Sequence, residues 1–400
     1  MYNLNFASNE NFADSAQALT LLTQPKKCLK GLALAELNAL LAQQFSVNNN
    51  QVFFTLAARS ALHLFLSNLH LPKQSEVLVQ AFTCEAVVLP VLAANLLAIY
   101  VDIEDETWSM DIADLKKKIT NKTRVLILQH SFAMLPRDRE RILQLAKKYQ
   151  LIVIEDLAHG FSPKLLVAKN NHSTKLLSFG RSKFFSAVYG GAIIVEYSVI
   201  NQQFVQAIAQ LKTADQQLIK NALLYKIITP FLTRNYRWGG KIFHALFNYL
   251  GVFNKEITQQ ERAGNYDSWL DRALPNVFAC LILKQLKNYK QTYQHRQRIA
   301  HLYWQQLAQK ISQDNLPSLR YPILIDRADL FLEKMAKKGY ILGNWYRQVV
   351  APPGLNLAKV NYQLGTCPRA EQMSQQVINL PLNISYKKAQ QLLKELINVK

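Results

Sequence analysis

Between residues 50 and 195 the apolar positions follow two alternating patterns. Short aliphatic runs at 76–81 (EVLVQA), 97–102 (LAIYVD), 124–129 (RVLILQ), 151–156 (LIVIED), 175–179 (KLLSF) and 191–195 (GAIIV) read as strands. Several lack polar alternation, which is the pattern of strands covered on both faces. Between them, apolar residues return at helical spacing. Ala58, Ala61, Leu62, Phe65 and Leu69 mark one helix face. A second helix is expected over 136–149, with Pro136 near its start, where a missing N–H is tolerated. This alternation predicts an α/β fold: a mostly parallel central sheet flanked by helices.

The remaining chain changes character. From 216 to 255 six basic residues (Lys220, Lys226, Arg234, Arg237, Lys241, Lys255) occur with no acidic one. Aromatics are interleaved: Tyr225, Phe231, Tyr236, Trp238, Phe243, Phe247, Tyr249 and Phe253. A long helical stretch follows over roughly 276–310, then a mixed β/α tail. The expected organisation is an N-terminal helical segment (1–45), a large α/β domain (46–215), a basic-aromatic connector (216–260), and a long helix with a smaller C-terminal α/β domain (261–400).

Composition narrows the class. Half of the 400 residues are hydrophobic and 18% are charged, which excludes a mainly disordered chain or a coiled coil. No apolar run is long enough to span a bilayer. The polar N-terminus does not read as a secretory signal. Cys28, Cys84, Cys280 and Cys367 are dispersed without a CxxC, so neither a metal site nor a disulfide frame is expected, and a reducing cytoplasm is. The net charge of +20 suits an anionic partner. No nucleic-acid motif accompanies it, and nucleic acid is not expected as a partner. The 216–255 stretch reads either as a packed helical insertion with a solvated basic rim or as a weak peripheral contact with an anionic membrane or partner surface.

Two strand ends carry unusual chemistry. One is IEDLAHG at 154–160, where Glu155 and Asp156 close a buried aliphatic strand and His159 follows. A carboxylate there is costly unless partnered. The other is LSFGRSK at 177–183, followed by Tyr189, Gly190 and Gly191. Ligands of open α/β sheets bind beyond the carboxyl ends of strands. A lysine, an aspartate and phosphate-binding hydroxyls at such ends suggest pyridoxal phosphate, with Lys183 as the amine and Asp156 facing the pyridinium nitrogen. Taken alone, a surface lysine and a helix-capping aspartate would account for the same residues.

The sequence resembles the DegT/DnrJ/StrS family of sugar aminotransferases. The likeness is carried by co-linear stretches: AARSALHL (57–64), QAFTCEA (80–86), IYVDIEDETWSMD (99–111), TRVLILQHSFAMLPRD (123–138), LIVIEDLAHG (151–160), LLSFGRSKFFSAVYGGAIIV (176–195), KQL (284–286), HRQRIAHLY (295–303), CPRAE (367–371) and VINLPLN (377–383). The resemblance implies a fold-type I pyridoxal-phosphate transferase. By position, Lys183 corresponds to the lysine that carries the cofactor, Asp156 to the ring-nitrogen partner and His159 to a residue beside the ring and its 3-oxygen. Ser178 corresponds to a phosphate ligand. Ala58, Arg59 and Ser60 open a helix whose amides would face the phosphate.

Departures accompany the likeness. Ala58–Arg59 replaces a Gly-Thr, so Arg59 either contacts the phosphate or points away. Cys84 stands where the family often has a ring-stacking aromatic, and Tyr189 replaces an acidic residue. Asp271, Arg272 and Ala273 occupy the places of an Asn-Tyr-Arg that reaches the partner subunit's site in the family; Asn265–Tyr266 lies too early to substitute. His130 matches a family position but equally suits a strand-end histidine.

The resemblance implies transfer of an amino group from an amino acid, typically glutamate, to a keto group of a nucleotide-linked sugar, by a homodimer. Retention of Lys183 argues against the family's dehydratase branch, where a histidine replaces it. The alternatives are a related enzyme acting on another keto or amine substrate, and a non-catalytic regulator built on the same fold.

Overall fold

The computed structural model describes residues 2–3, 9–24, 31–168, 172–236, 239–249, 251–253, 256–307 and 309–399. Cys28, Arg237, Trp238 and Lys255 therefore lie outside the described residues.

Seven strands form the central sheet: β1 (Val52–Thr55), β2 (Glu76–Gln80), β3 (Leu97–Val101), β4 (Thr123–Gln129), β5 (Ile152–Leu157), β6 (Thr174–Ser178) and β7 (Gly191–Ile194). Their order is β1-β7-β6-β5-β4-β2-β3. Neighbours from β6 through β3 pair in parallel, and β7 runs antiparallel to both β6 and β1. The aliphatic runs are uninterrupted because alternate residues enter different cores. Val77, Val79, Val125, Ile127 and Ile154 pack into one cluster, while Leu78, Leu126, Leu128 and Val153 pack into another across the sheet.

Successive carboxyl ends lead into helices. β1 leads into α1 (Ala58–Ser67) and β2 into α2 (Glu85–Ala93). The connector forms α3 (Gln216–Arg234) and α4 (Gly240–Tyr249). Here the expectation of a solvated basic rim fails for Lys226. Its ammonium is fully buried, 2.6 Å from Glu10 and 3.3 Å from Asp14, and donates to the Ser186 carbonyl at 2.6 Å. Those carboxylates compensate a charge that burial alone would exclude.

The single long helix expected over 276–310 is two helices, α5 (Asn276–Lys287) and α6 (Tyr289–Gln306), meeting at Asn288. α5 buries its apolar face in the core beneath β7, with Ile282 and Phe278 beside Tyr189 and Ala192. α6 instead sends Ile299 and Tyr303 into the core shared with the C-terminal elements. The change of packing partner requires a change of direction. In the C-terminal part, β8 (Arg320–Leu324) pairs antiparallel with β9 (Val377–Pro381), and three helices, Ala328–Lys337, Pro368–Gln376 and Tyr386–Ile397, surround them.

Candidate active site

A cleft of about 280 Å³ opens at the carboxyl ends of β1, β2, β5 and β6. Ala58, Arg59, Cys84, Asp156, His159, Ser178 and Lys183 all line it, so seven of the eight residues singled out from the sequence share one space. Ser60 does not line it: its amide donates back to the Ala57 carbonyl at 3.1 Å, inside the first turn of α1.

A glycine beside the cleft sets how closely α1 approaches the sheet. Gly191 lies opposite both Thr55 and Ser178 in the sheet. A Cβ there would fall 2.3 Å from the Ala58 nitrogen, so only glycine lets the start of α1 approach β7 this closely. Ala57 provides no side-chain cap for α1. The first amides of that helix therefore stand ready for an anion, in the positive field of the helix terminus.

Asp156 is 2% exposed and its Oδ1 accepts from the Ala158 amide at 2.9 Å. Burial raises its pKa, opposed by that hydrogen bond and by the charge of Lys183. Lys183 is half-buried, and its ammonium lies 5.1 Å from the centre of the Trp345 ring. Its loop is braced from afar: the Asn9 amide donates to the Lys183 carbonyl at 2.6 Å and to the Ser182 carbonyl at 3.1 Å. Arg296 in turn donates to Asn9 Oδ1 at 3.1 Å.

His159 has a fixed tautomer. Its Nδ1 accepts from the Phe132 amide at 3.0 Å, so the neutral ring carries its proton on Nε2, 2.7 Å from the Tyr346 hydroxyl. Burial, with the charges of Lys183 and Arg320, holds the imidazole well below its ordinary pKa. With His159 donating, the Tyr346 hydroxyl keeps its own proton for another acceptor. Burial above all, then the neighbouring Cys84, Asp156 and Glu85, holds that phenol protonated.

Arg59 is turned away from an anion at the helix terminus. Its guanidinium pairs with buried Glu261 and donates to the Glu256 carbonyl at 2.8 Å. Cys84 is half-buried, and burial together with the Glu85 charge pushes its thiol up to about 11. His130 stands apart from the cleft. It bonds Glu155 Oε2 at 2.9 Å, and Glu155 also accepts from Arg139 at 2.6 and 2.9 Å and from Ser173 at 2.6 Å. Burial alone would raise the Glu155 pKa, but these bonds outweigh it and hold the carboxyl well below its usual range. Tyr189 packs edge-on against Trp269, 6.0 Å between centroids. Asp271 accepts from Tyr266 and lies 3.4 Å from His63, while the Arg272 side chain donates to the Trp269 carbonyl.

Trp345, Tyr346 and Glu85, which line the cleft, and Arg320, which does not, escaped the sequence reading. Trp345 and Tyr346 enter from the C-terminal part, and the buried Arg320 guanidinium sits 3.9 Å over the Trp345 ring. Glu85 lines the cleft at 3% exposure; burial pushes its carboxyl up to about 7, against the opposing charge of Arg59. Only Glu85 offered a signal, as a lone acid at the head of an apolar helix. Among the described residues no cluster of His, Cys, Asp or Glu is placed to hold a metal ion. No helix among them is long and apolar enough to cross a membrane.

A model of the DegT/DnrJ/EryC1/StrS aminotransferase family matches residues 11–223 and 250–394. GDP-perosamine synthase of Escherichia coli O157:H7 is 37% identical over 123 residues, 30% of this chain and 34% of that protein. The 3-oxo-glucose-6-phosphate:glutamate aminotransferase of Bacillus subtilis is 27% identical over 200 residues, 50% of this chain and 44% of that one. The chain thus aligns with less than half the length of either relative. Among solved structures, NtdA of Bacillus subtilis with bound cofactor PMP superposes with a TM-score of 0.68 at 22% identity, covering 98% of this chain and 82% of that one. That likeness carries the fold.

Proposed function

The chain belongs to the DegT/DnrJ/EryC1/StrS aminotransferase family, a pyridoxal-phosphate-dependent group, and from that premise we propose that it moves an amino group from glutamate to a keto group of a nucleotide-linked sugar. The observation that carries this reading is the meeting of Lys183, Asp156 and the uncapped start of α1 in one cleft.

The donor set fits the cofactor's chemistry: an amine, a buried carboxylate, and amides with a serine hydroxyl for a dianionic phosphate. In this reading Lys183 carries the cofactor, Asp156 faces its ring nitrogen, and the Ala58 and Arg59 amides with Ser178 take its phosphate. When bound, pyridoxal phosphate supplies an aldehyde that condenses with amines and a ring that withdraws electrons from them. The chain supplies the rest. Asp156 holds negative charge where a protonated ring nitrogen needs it. Lys183 Nζ, once free, takes a proton from one carbon and returns it to another as the general base. His159 stays neutral, with its Nε2 proton committed to Tyr346. Cys84 packs where an aromatic would stack, so ring-face contact falls to smaller groups. The +20 net charge favours capture of an anionic nucleotide-sugar.

The test is the visible spectrum of the purified protein with added pyridoxal phosphate, beside Lys183→Ala. The expected result is a lysine-dependent band that borohydride bleaches and glutamate converts to the band of the aminated cofactor. A panel of nucleotide-linked keto sugars then identifies the acceptor. No band in the folded protein at saturating pyridoxal phosphate overturns the reading.

A further inference from the structure

α4 is amphipathic in the wrong sense for a helix lying against a protein surrounded by water. Gly240, His244 and Phe247, at i, i+4 and i+7, form its inward face. Gly240 is buried under the Leu232 carbonyl, and the Phe247 ring lies 5.4 Å from that of Phe253. Two residues on, Ile242, Leu246 and Tyr249 repeat the same spacing on the opposite side. They are 73%, 44% and 88% exposed, and Phe243 beside them is 54% exposed. The polar face expected outward is an apolar stripe.

The segment it belongs to carries one sign of charge. Lys220, Arg234 and Lys241 are exposed on α3 and α4, and residues 216–255 contain no aspartate or glutamate. A second copy docked by the same stripe would bring these cations against themselves on a chain of net charge +20. The family pattern also passes over 224–249, so α4 is not part of what family members have in common. An anionic bilayer matches both features, since lipid headgroups attract the cations and the acyl boundary accepts the apolar stripe.

We infer that α4 is a peripheral docking element for an anionic lipid surface, seating Ile242, Phe243, Leu246 and Tyr249 at the headgroup–acyl boundary with Lys241 and Arg234 among the headgroups. This places the catalytic body at a membrane face. The inference is independent of the identity of the acceptor sugar.

The test is co-sedimentation of the full chain, loaded with pyridoxal phosphate, with vesicles of phosphatidylglycerol and phosphatidylcholine or of phosphatidylcholine alone. The expected result is pelleting with the anionic vesicles that weakens as salt rises and is at least about tenfold weaker on neutral ones. Ile242→Glu with Leu246→Glu loses the anionic binding while keeping the circular dichroism and cofactor spectrum of the parent. Lys241→Glu weakens it and flattens its salt dependence. Absence of pelleting with anionic vesicles at low salt overturns the inference, as does unchanged pelleting of the double variant. If sedimentation velocity shows the double variant falling to a smaller oligomer, the stripe is an interface between copies and the inference fails.

Discussion

The side-chain amide of Asn9 lies 2.6 Å from the carbonyl oxygen of Lys183 and ties residue 9 to the loop that carries Lys183 into the cleft. The same amide reaches the Ser182 carbonyl, where the backbone sits at φ 60°, a left-handed conformation that serine seldom adopts. Asn9 thus holds a strained turn, and Arg296 holds Asn9.

Asn9→Ala leaves two carbonyls and one guanidinium N–H short of a buried partner. The expected loss is about 1–3 kcal/mol of stability per unsatisfied group. Denaturant unfolding measures it, and cofactor release on dialysis is expected to quicken because the Lys183 loop relaxes. Wild-type unfolding and retention in Asn9→Ala would show that the loop holds its own conformation.

Glu85 sets a pH dependence of opposite sign to most carboxylates. Its native pKa is about 7, above the ordinary value of about 4.3 in an unfolded chain. The folded state keeps the proton that the unfolded state gives up, so stability falls as pH rises through this window and is level above it. Glu85→Gln removes the dependence. The variant is expected to match the parent near about pH 4 and to exceed it by about 3 kcal/mol at about pH 8. Urea titrations across that range decide the matter, and a constant difference between the two proteins would contradict it.

Arg139 and His130 hold Glu155 ionised beneath the site. Removing the guanidinium in Arg139→Met leaves a buried carboxylate poorly compensated, at an expected cost of about 3–5 kcal/mol. Adding Glu155→Leu is expected to restore most of that loss. The depressed Glu155 pKa contributes stability that is present above the ordinary carboxylate pKa and lost as pH falls toward the native value. Acid titration of the Arg139→Met, Glu155→Leu pair is therefore expected to be shallower than that of the parent. A single variant within about 1 kcal/mol of wild type would mean that His130 and Ser173 suffice.

Gly191→Ala forces a methyl into the Ala57–Ala58 backbone, with a predicted approach of 2.3 Å to the Ala58 nitrogen. Overpacking of this kind costs about 1–3 kcal/mol or more. The displaced group is the terminus assigned to the phosphate, so cofactor affinity is expected to fall together with stability. Fluorescence titration with pyridoxal phosphate reads the first and thermal unfolding the second. Loss of stability with unchanged affinity would remove the phosphate role from α1.

The central sheet was legible because each strand writes its own pattern. The runs at 76–81 and 151–156 needed no distant partner to be read, and the structure places strands within a residue or two of them. Asp156, Ser178 and Lys183 stood out for the same reason, at or just beyond strand ends, and the structure brings them into one cleft. Tyr346 did not, because it meets His159 across 187 positions, and neither did Arg320, which sits over Trp345; neither lies at a motif. Asn9 is hidden more deeply still, as one asparagine in a polar segment. The break at Asn288 was also silent: asparagine is only a modest helix breaker, and a change of packing partner leaves no mark in apolar spacing. Lys226 shows the converse, a basic residue in a basic stretch that is internal because Glu10 and Asp14 meet it from the far end of the sequence.

The brace on Lys183 also orders events during synthesis. Asn9 leaves the ribosome long before its acceptors, which lie 173 and 174 positions later, and before Arg296, 287 positions later. Until nearly three quarters of the chain has emerged, the turn bearing Lys183 can meet Asn9 but lacks the Arg296 contact that holds Asn9 in place. A nascent or truncated chain ending before α6 therefore holds every residue named at the strand ends and still lacks the contact that steadies the Asn9 brace on Lys183. The brace is complete only when the start of the polypeptide has met its middle and α6 has reached Asn9.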